Sequence, residues 1–222
     1  VQLYESVATQ FGSGAEEDPK PWAKSLHAYV PEFFDVACHP ALVDRVESIL
    51  GPDVLAWGAS ITVRKPGQVH RWHVDVEHRR WRGITAFIGL SGTSPASGLK
   101  LISGSQGISE MPQSLGVKDD AAAEAAARSF HDSARLIAPP MREGEFLLFD
   151  GPLWHGSKND TQTARYGLLI QYTVPSERVQ IPLNCDEPLR WGENGPPCVL
   201  IRGTDHFQNN PLVERPTPEY VD

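Results

Sequence analysis

Between residues 70 and 78 the chain reads His-Arg-Trp-His-Val-Asp-Val-Glu-His, its densest run of side chains able to hold a metal or move a proton. Along an extended strand, side chains two apart share a face, so His73 and Asp75 point together while Val74 points away. An imidazole nitrogen and a carboxylate oxygen offered to one point suit a divalent first-row ion. A second imidazole from another strand would complete one face of the coordination sphere. His155, in Phe149-Asp-Gly-Pro-Leu-Trp-His-Gly-Ser157, is the candidate, because the chain between it and Asp75 is long enough for several strands to run out and return. Two histidines with one carboxylate make the facial triad of non-haem iron sites, which leaves coordination positions open for oxygen and a further ligand.

By itself His-x-Asp says little, since histidine is more often a hydrogen-bonded core or surface residue than a ligand. Two residues on the carboxyl side of His155 add the weight. Ser157 stands two positions on, and Arg165 heads the strand-like run Tyr166-Gly-Leu-Leu-Ile-Gln-Tyr172. A guanidinium is a planar fork of donors matched to a carboxylate, and a neighbouring hydroxyl adds another donor, so the pair could anchor the far carboxylate of a bound keto acid. His70 and His78 flank the motif without the close His-x-His-x-Asp-His order of binuclear hydrolases, and are read as structural or pocket-lining.

These groups need a scaffold that brings separated strands together. Leu42, Val46, Ile49 and Leu50 recur at helical spacing, with Pro40 before them and Gly51-Pro52 after, which predicts a short helix over 41–50. The period then changes. Val54 to Val63 is rich in β-branched and aromatic residues and stops at Lys65-Pro66-Gly67, a strand and a turn. Further strand-like segments lie at 83–90, 99–103, 134–138, 145–149 and 166–174, broken once by an Ala-rich helix over 119–130. Many strands at short spacing behind a helical front end predict an antiparallel sandwich or barrel rather than an alternating strand-helix fold. Gly12 to Pro21 reads as loop, and the tail from Pro175 as ordered coil. Trp191, Asp205, His206 and Asn209 in that tail are candidates to cap a pocket or serve an interface.

With 222 residues, 40% apolar and 22% charged, the chain can bury one sizeable core, which excludes collagen, coiled coil and disorder as classes. A net charge of −8 and a pI near 5.5 argue against a general grip on nucleic acid or an anionic membrane, so a small-molecule partner is expected. No apolar run reaches membrane-spanning length and no leader pattern heads the sequence, so the expected location is cytoplasmic. Cys38, Cys185 and Cys198 are odd in number and widely spaced, which speaks against both a zinc site and a disulfide framework.

From about Phe33 to Pro175 these features fall in the order of a known family. Gly51-Pro-Asp53 ends the helix, and Lys65-Pro-Gly67 precedes Trp72-His-Val-Asp75. Next come Ile84 to Leu90, Ser97 to Ser105, Glu143 to Asp150, and His155-Gly-Ser157 with Arg165. The chain resembles the phytanoyl-CoA dioxygenase family of Fe(II)- and 2-oxoglutarate-dependent oxygenases. The resemblance implies a mainly β fold with flanking helices, a cupin-like double-stranded β-helix or jelly roll. It would be one domain over 1–222, with 1–21 flexible, 22–52 the helical front end, 53–175 the core and 176–222 ordered coil.

The resemblance also implies that His73, Asp75 and His155 hold Fe(II), that Arg165 and Ser157 hold 2-oxoglutarate, and that Thr85 and Lys65 face that cosubstrate. The reaction would consume O2, release succinate and CO2, and hydroxylate an aliphatic carbon of a small organic molecule. Related halogenases carry a small residue at the position of Asp75, so its presence favours hydroxylation. Desaturation or cyclisation by the same oxidant, and a non-catalytic metal-binding cupin-like module, are the alternatives. Ser103-Gly-Ser-Gln106 departs from the family's Pro-Gly-Ser-His, which makes Gln106 a substrate candidate. Trp81 is another; if it and Arg79, Arg80 and Arg82 face the pocket, an anionic or carrier-attached substrate is implied. The helix over 119–130 stands where the family tends to carry an active-site cover.

Overall fold

The structure, a computed structural model, describes residues 1–11, 21–75, 82–179 and 195–217. Helices cluster early and strands late. The helices are α1 (Gln2–Phe11), α2 (Pro21–Lys24), α3 (Leu26–Tyr29), α4 (Pro31–Ala37), α5 (Pro40–Leu50) and α6 (Asp120–Phe130). The strands are β1 (Val54–Arg64), β2 (Val69–His73), β3 (Gly83–Gly89), β4 (Leu99–Ser103), β5 (Arg135–Ile137), β6 (Phe146–Asp150), β7 (His155–Lys158), β8 (Arg165–Thr173) and β9 (Val199–Arg202). They form a five-stranded sheet in the order β6-β3-β8-β1-β9 and a four-stranded sheet in the order β2-β7-β4-β5. This is the mainly β architecture with flanking helices that the sequence predicts.

The chain divides into two compact units: Val1–Ile61 with Trp81–Ala86 and Leu168–Asp222, and Thr62–Arg80 with Phe87–Gly167. In the first, α5 buries Leu42, Val43, Val46 and Leu50. Its start is fixed by the ring of His39, which accepts from the Ala41 N–H at 3.3 Å, and by Pro40, whose missing N–H costs nothing at a first helical position. Gly51, at φ +96°, ends it in a conformation that side chains disfavour. Val54 to Ala56 of β1 are fully buried, and the Tyr172 hydroxyl donates to the Ala37 carbonyl at 2.9 Å.

The stretch expected to be flexible and the tail expected to be ordered coil each carry a regular element. Within 1–21, α1 forms a helix that buries Val7 and sets Tyr4 at 6.1 Å from the Trp22 ring. In the tail, Val199–Arg202 becomes β9 by pairing with the start of β1, Val54 opposite Arg202 and Leu55 opposite Leu200. Arg202 then bridges to Asp44 and Glu47 of α5. Asp205 and Asn209, candidates to cap a pocket, instead close their own segment. Asp205 accepts from the Phe207 and Gln208 N–H groups, and the Asn209 amide donates to the carbonyls of Pro175 and Ser176. Trp191, Cys185, His78, Arg79, Arg80, Trp81 and most of Gly12 to Pro21 lie outside the described residues. No helix among the described residues is long and apolar enough to cross a membrane.

His27 gives this unit an acid sensitivity. It is fully buried, and its ring nitrogen donates to the Pro197 carbonyl at 3.2 Å. Burial outweighs the carbonyls of Pro197 and Ala56 and pushes its pKa down to about 4. Because the folded value lies below the unfolded one, the unfolded chain binds the extra proton. Stability is therefore complete above about pH 6.5 and falls as pH drops toward about 4, by roughly 3 kcal/mol in all. Urea midpoints measured across that window should show the fall, and His27→Gln should flatten it.

Candidate metal centre

Strands β2 and β7 are both in the second unit and pair antiparallel, with His70 opposite Ser157 and His73 opposite His155. Three steps along β2 are matched by two along β7, so one strand carries an extra residue, a bulge. The bulge puts His73 beside His155, with ring centroids 4.1 Å apart. Asp75 lies just past the end of β2, where its N–H donates to the Gly151 carbonyl at 3.2 Å. One carboxylate oxygen of Asp75 then sits 3.4 Å from His155 Nε2 and 3.7 Å from His73 Nε2. The ligand atoms of the three residues all fall within 4.8 Å of one another.

Both imidazoles are held the same way. His73 Nδ1 lies 2.7 Å from the Arg71 carbonyl and His155 Nδ1 lies 2.9 Å from the Leu153 carbonyl. A carbonyl only accepts, so each Nδ1 carries the hydrogen and each Nε2 turns its lone pair toward Asp75, the tautomer a metal ligand needs. Burial would raise the Asp75 carboxyl, but the charge and close approach of His155 and His73 overcome it and hold the group well below the usual carboxylate range. Burial likewise lowers His155, and Asp75 reverses the sign, so its pKa is raised. His73 stays lowered, by burial and by the neighbouring His155. The ionised carboxylate and two inward nitrogens fit a divalent cation, whose charge would replace the shared protons.

Arg165 begins β8 and is 1% exposed. Its Nη2 donates to Ser157 Oγ at 3.2 Å, while Nε and Nη1 are buried without a partner among the described residues. Phe87 lies 5.2 Å beneath the guanidinium, in space that Gly167 leaves because a Cβ there would collide with the Phe87 ring. Burial and the proximity of Arg64 pull the Arg165 pKa down to about 10. A buried cation with unused donors in a forked arrangement suits a carboxylate.

The other expected residues fare differently. Thr85 is buried on β3, in the first unit. Lys65 is exposed at the turn after β1, its N–H bonded to Gln68 Oε1 at 2.9 Å. The strand's alternation turns its neighbour Arg64 inward instead, to 5% exposure. Gln106 is exposed on the 3-10 turn Ser105–Gly107, and Arg82 reaches the Ile49 carbonyl at 3.4 Å. The helix α6, expected as an active-site cover, buries Ala123 and Ala127 with Trp72, Val74, Ile102 and Trp154. Those residues alternate with His73 and His155, so α6 backs the face opposite the triad.

Three further residues stand beside the site: His70, expected to be structural or pocket-lining, and Arg64 and Ser105, for which the sequence suggested no role. Ser105 is fully buried, accepts from the Trp154 N–H at 2.8 Å and donates to the Ile102 carbonyl at 2.7 Å. The Trp154 carbonyl in turn accepts from the Ile102 N–H at 2.9 Å, so the residue before His155 is clamped on both sides. Ser105→Ala strands the buried Trp154 N–H at a cost of about 1–3 kcal/mol. Metal affinity should also fall about tenfold, as expected for loss of a ligand's support. Thermal melts with and without metal read both effects.

The sequence pattern of the phytanoyl-CoA dioxygenase (PhyH) family matches residues 6–167. The chain belongs to that family. The ectoine dioxygenase of Sphingopyxis alaskensis is 28% identical over 218 residues, which cover 85% of this chain and 68% of that protein. Among solved structures, the non-heme monooxygenase ThoJ in complex with nickel aligns with a TM-score of 0.63 at 21% identity, over 99% of this chain and 78% of that one. EctD from S. alaskensis with bound Fe aligns with a TM-score of 0.58 at 27% identity, over 73% of this chain and 60% of that one. The jelly-roll fold implied by the sequence is thus that of this PhyH-family chain, which is an oxygenase.

Proposed function

We propose that this PhyH-family chain is an Fe(II)- and 2-oxoglutarate-dependent dioxygenase that hydroxylates an aliphatic carbon of a small organic molecule. The observation that carries the proposal is the pairing of two adjacent sites. A His73–Asp75–His155 cluster with both Nε2 lone pairs turned inward lies one strand rung from Arg165 and its unused donors. A relative crystallised with 2-oxoglutarate and 5-hydroxyectoine, EctD from S. alaskensis, supports the same cosubstrate here.

In this reading His73, Asp75 and His155 hold Fe(II), and Arg165 with Ser157 holds the far carboxylate of 2-oxoglutarate. The chemistry that Fe(II) would supply when held there is activation of O2, coupled to conversion of 2-oxoglutarate to succinate and CO2. The chain's own groups do the rest. Arg71 and Leu153 fix the imidazole tautomers through their carbonyls, and Asp75 supplies the anion that balances the ion's charge. The burial of His155 and Arg165 limits water at the two anchoring points.

An intact keto-acid anchor has no use in a metal-binding module without turnover, which favours the enzyme. The test is oxygen-dependent conversion of 2-oxoglutarate to succinate by the iron-loaded chain, with ectoine among the small zwitterions, acids and amides screened. One equivalent of hydroxylated product per succinate is the expected result. Metal binding without any 2-oxoglutarate consumption across the screen would support the binding module, and a product two hydrogens lighter would support desaturation or cyclisation.

A further inference from the structure

We propose that His70 is a further protein contact to 2-oxoglutarate, its ring N–H donating to a carboxylate oxygen as the cosubstrate runs from the metal triad to Arg165; this rests on the function proposed above. Spacing alone hides the residue. In a regular strand His70 and His73, three apart, would face opposite sides of the sheet. The bulge between them reverses this. His155 and Ser157, two apart on β7, share a face, and the pairing sets His73 beside the first and His70 beside the second. The rings of His70 and His73 accordingly lie 4.1 Å apart, tilted by 51°.

The inner face is therefore a short ladder. Its first rung is His73 with His155, closed by Asp75. Its second rung is His70 with Ser157, and Arg165 reaches into that rung through its bond to Ser157 Oγ at 3.2 Å. A keto acid that chelates a metal at the first rung and meets Arg165 at the second ends on the rung that carries His70. That ring is half-buried, stands outside the three-residue metal cluster, and takes part in none of the described hydrogen bonds. A ring nitrogen with no hydrogen-bond partner among the described residues, in a pocket of fixed donors, is a place for a ligand to bond.

The test is anaerobic calorimetry of the full chain loaded with Fe(II) and titrated with 2-oxoglutarate, for wild type, His70→Phe and His70→Gln, with Fe(II) affinity measured separately for each. A hydrogen bond to a charged acceptor sets the expected loss. His70→Phe, which keeps the ring and removes the donor, should weaken 2-oxoglutarate about 10- to 100-fold and leave Fe(II) affinity within about threefold. His70→Gln, which restores an N–H, should recover most of the loss. The proposal is overturned if His70→Phe binds 2-oxoglutarate as wild type does, if Gln loses as much as Phe, or if Fe(II) affinity falls in step with cosubstrate affinity. A wild type that binds Fe(II) but no 2-oxoglutarate overturns the proposed function itself, and the His70 contact with it.

Discussion

Replacing Asp75 by alanine is expected to leave a folded chain that binds Fe(II) more than about a hundredfold more weakly and turns over no 2-oxoglutarate. Even outer partners of metal ligands are worth about 10- to 100-fold in affinity. Asp75 contributes the carboxylate of the triad, and without it His73 and His155 offer two close imidazoles with no anion between them. The backbone survives, because the bond that fixes position 75 runs from its N–H to the Gly151 carbonyl and alanine keeps it. Thermal melting separates the two effects. A ligand at about 100 times its dissociation constant adds about 2.7 kcal/mol to stability. Wild type should gain that stabilisation on adding metal, whereas Asp75→Ala should melt cooperatively and gain none. An undiminished metal-induced shift in the variant would remove Asp75 from the site.

Arg165→Met is expected to separate stability from function in the opposite direction. Among the described residues the buried guanidinium has one hydrogen bond, to a neutral hydroxyl, and two unused groups, and burial already pulls its pKa down to about 10. Exchanging such a charge for an apolar side chain of similar length is neutral or stabilising by about 1–4 kcal/mol when no partner charge is left behind. The ligand-free variant should therefore melt at or above the wild-type temperature. The concentration of 2-oxoglutarate required should nonetheless rise by a factor of about 100 or more, the cost of truncating one side of a buried charge pair. Fe(II) affinity should stay close to wild type. A variant that needs no more 2-oxoglutarate than wild type would show that the carboxylate is held elsewhere.

The chain's strong periods were legible and its polar or short elements were not. Val54 to Val63 and Leu99 to Ser103 are apolar runs bounded by turn residues, and both are strands. The helices at Pro40–Leu50 and Asp120–Phe130 likewise fall where Pro40 and Asp119 mark their starts. In contrast, β7 is His-Gly-Ser-Lys, with no β-forming residue, and is a strand only because β2 and β4 pair on either side of it. The tail strand β9 depends in the same way on β1.

At the site, chemistry outran geometry. His73, Asp75, His155, Ser157 and Arg165 emerge from residue type and order, and the structure brings the first three together and joins the last two. The strand alternation used to pair His73 with Asp75 is not how they meet, since β2 ends at His73. The bulge is invisible in composition, and with it the inward turn of His70. Lys65 and Arg64 differ by one step of the same alternation, so a one-residue uncertainty in where β1 ends exchanges an exposed cation for a buried one.

Anaerobic titration of the purified chain with Fe(II) and 2-oxoglutarate, monitored by visible absorption, tests the central claim most directly. A bidentate keto acid on ferrous iron gives a weak metal-to-ligand charge-transfer band. That band should appear in wild type, saturate at one equivalent of each partner, and vanish in Asp75→Ala. In Arg165→Met it should need far more 2-oxoglutarate. A folded, iron-replete wild type that shows no band at saturating 2-oxoglutarate would contradict the account and leave a metal-binding protein of another kind.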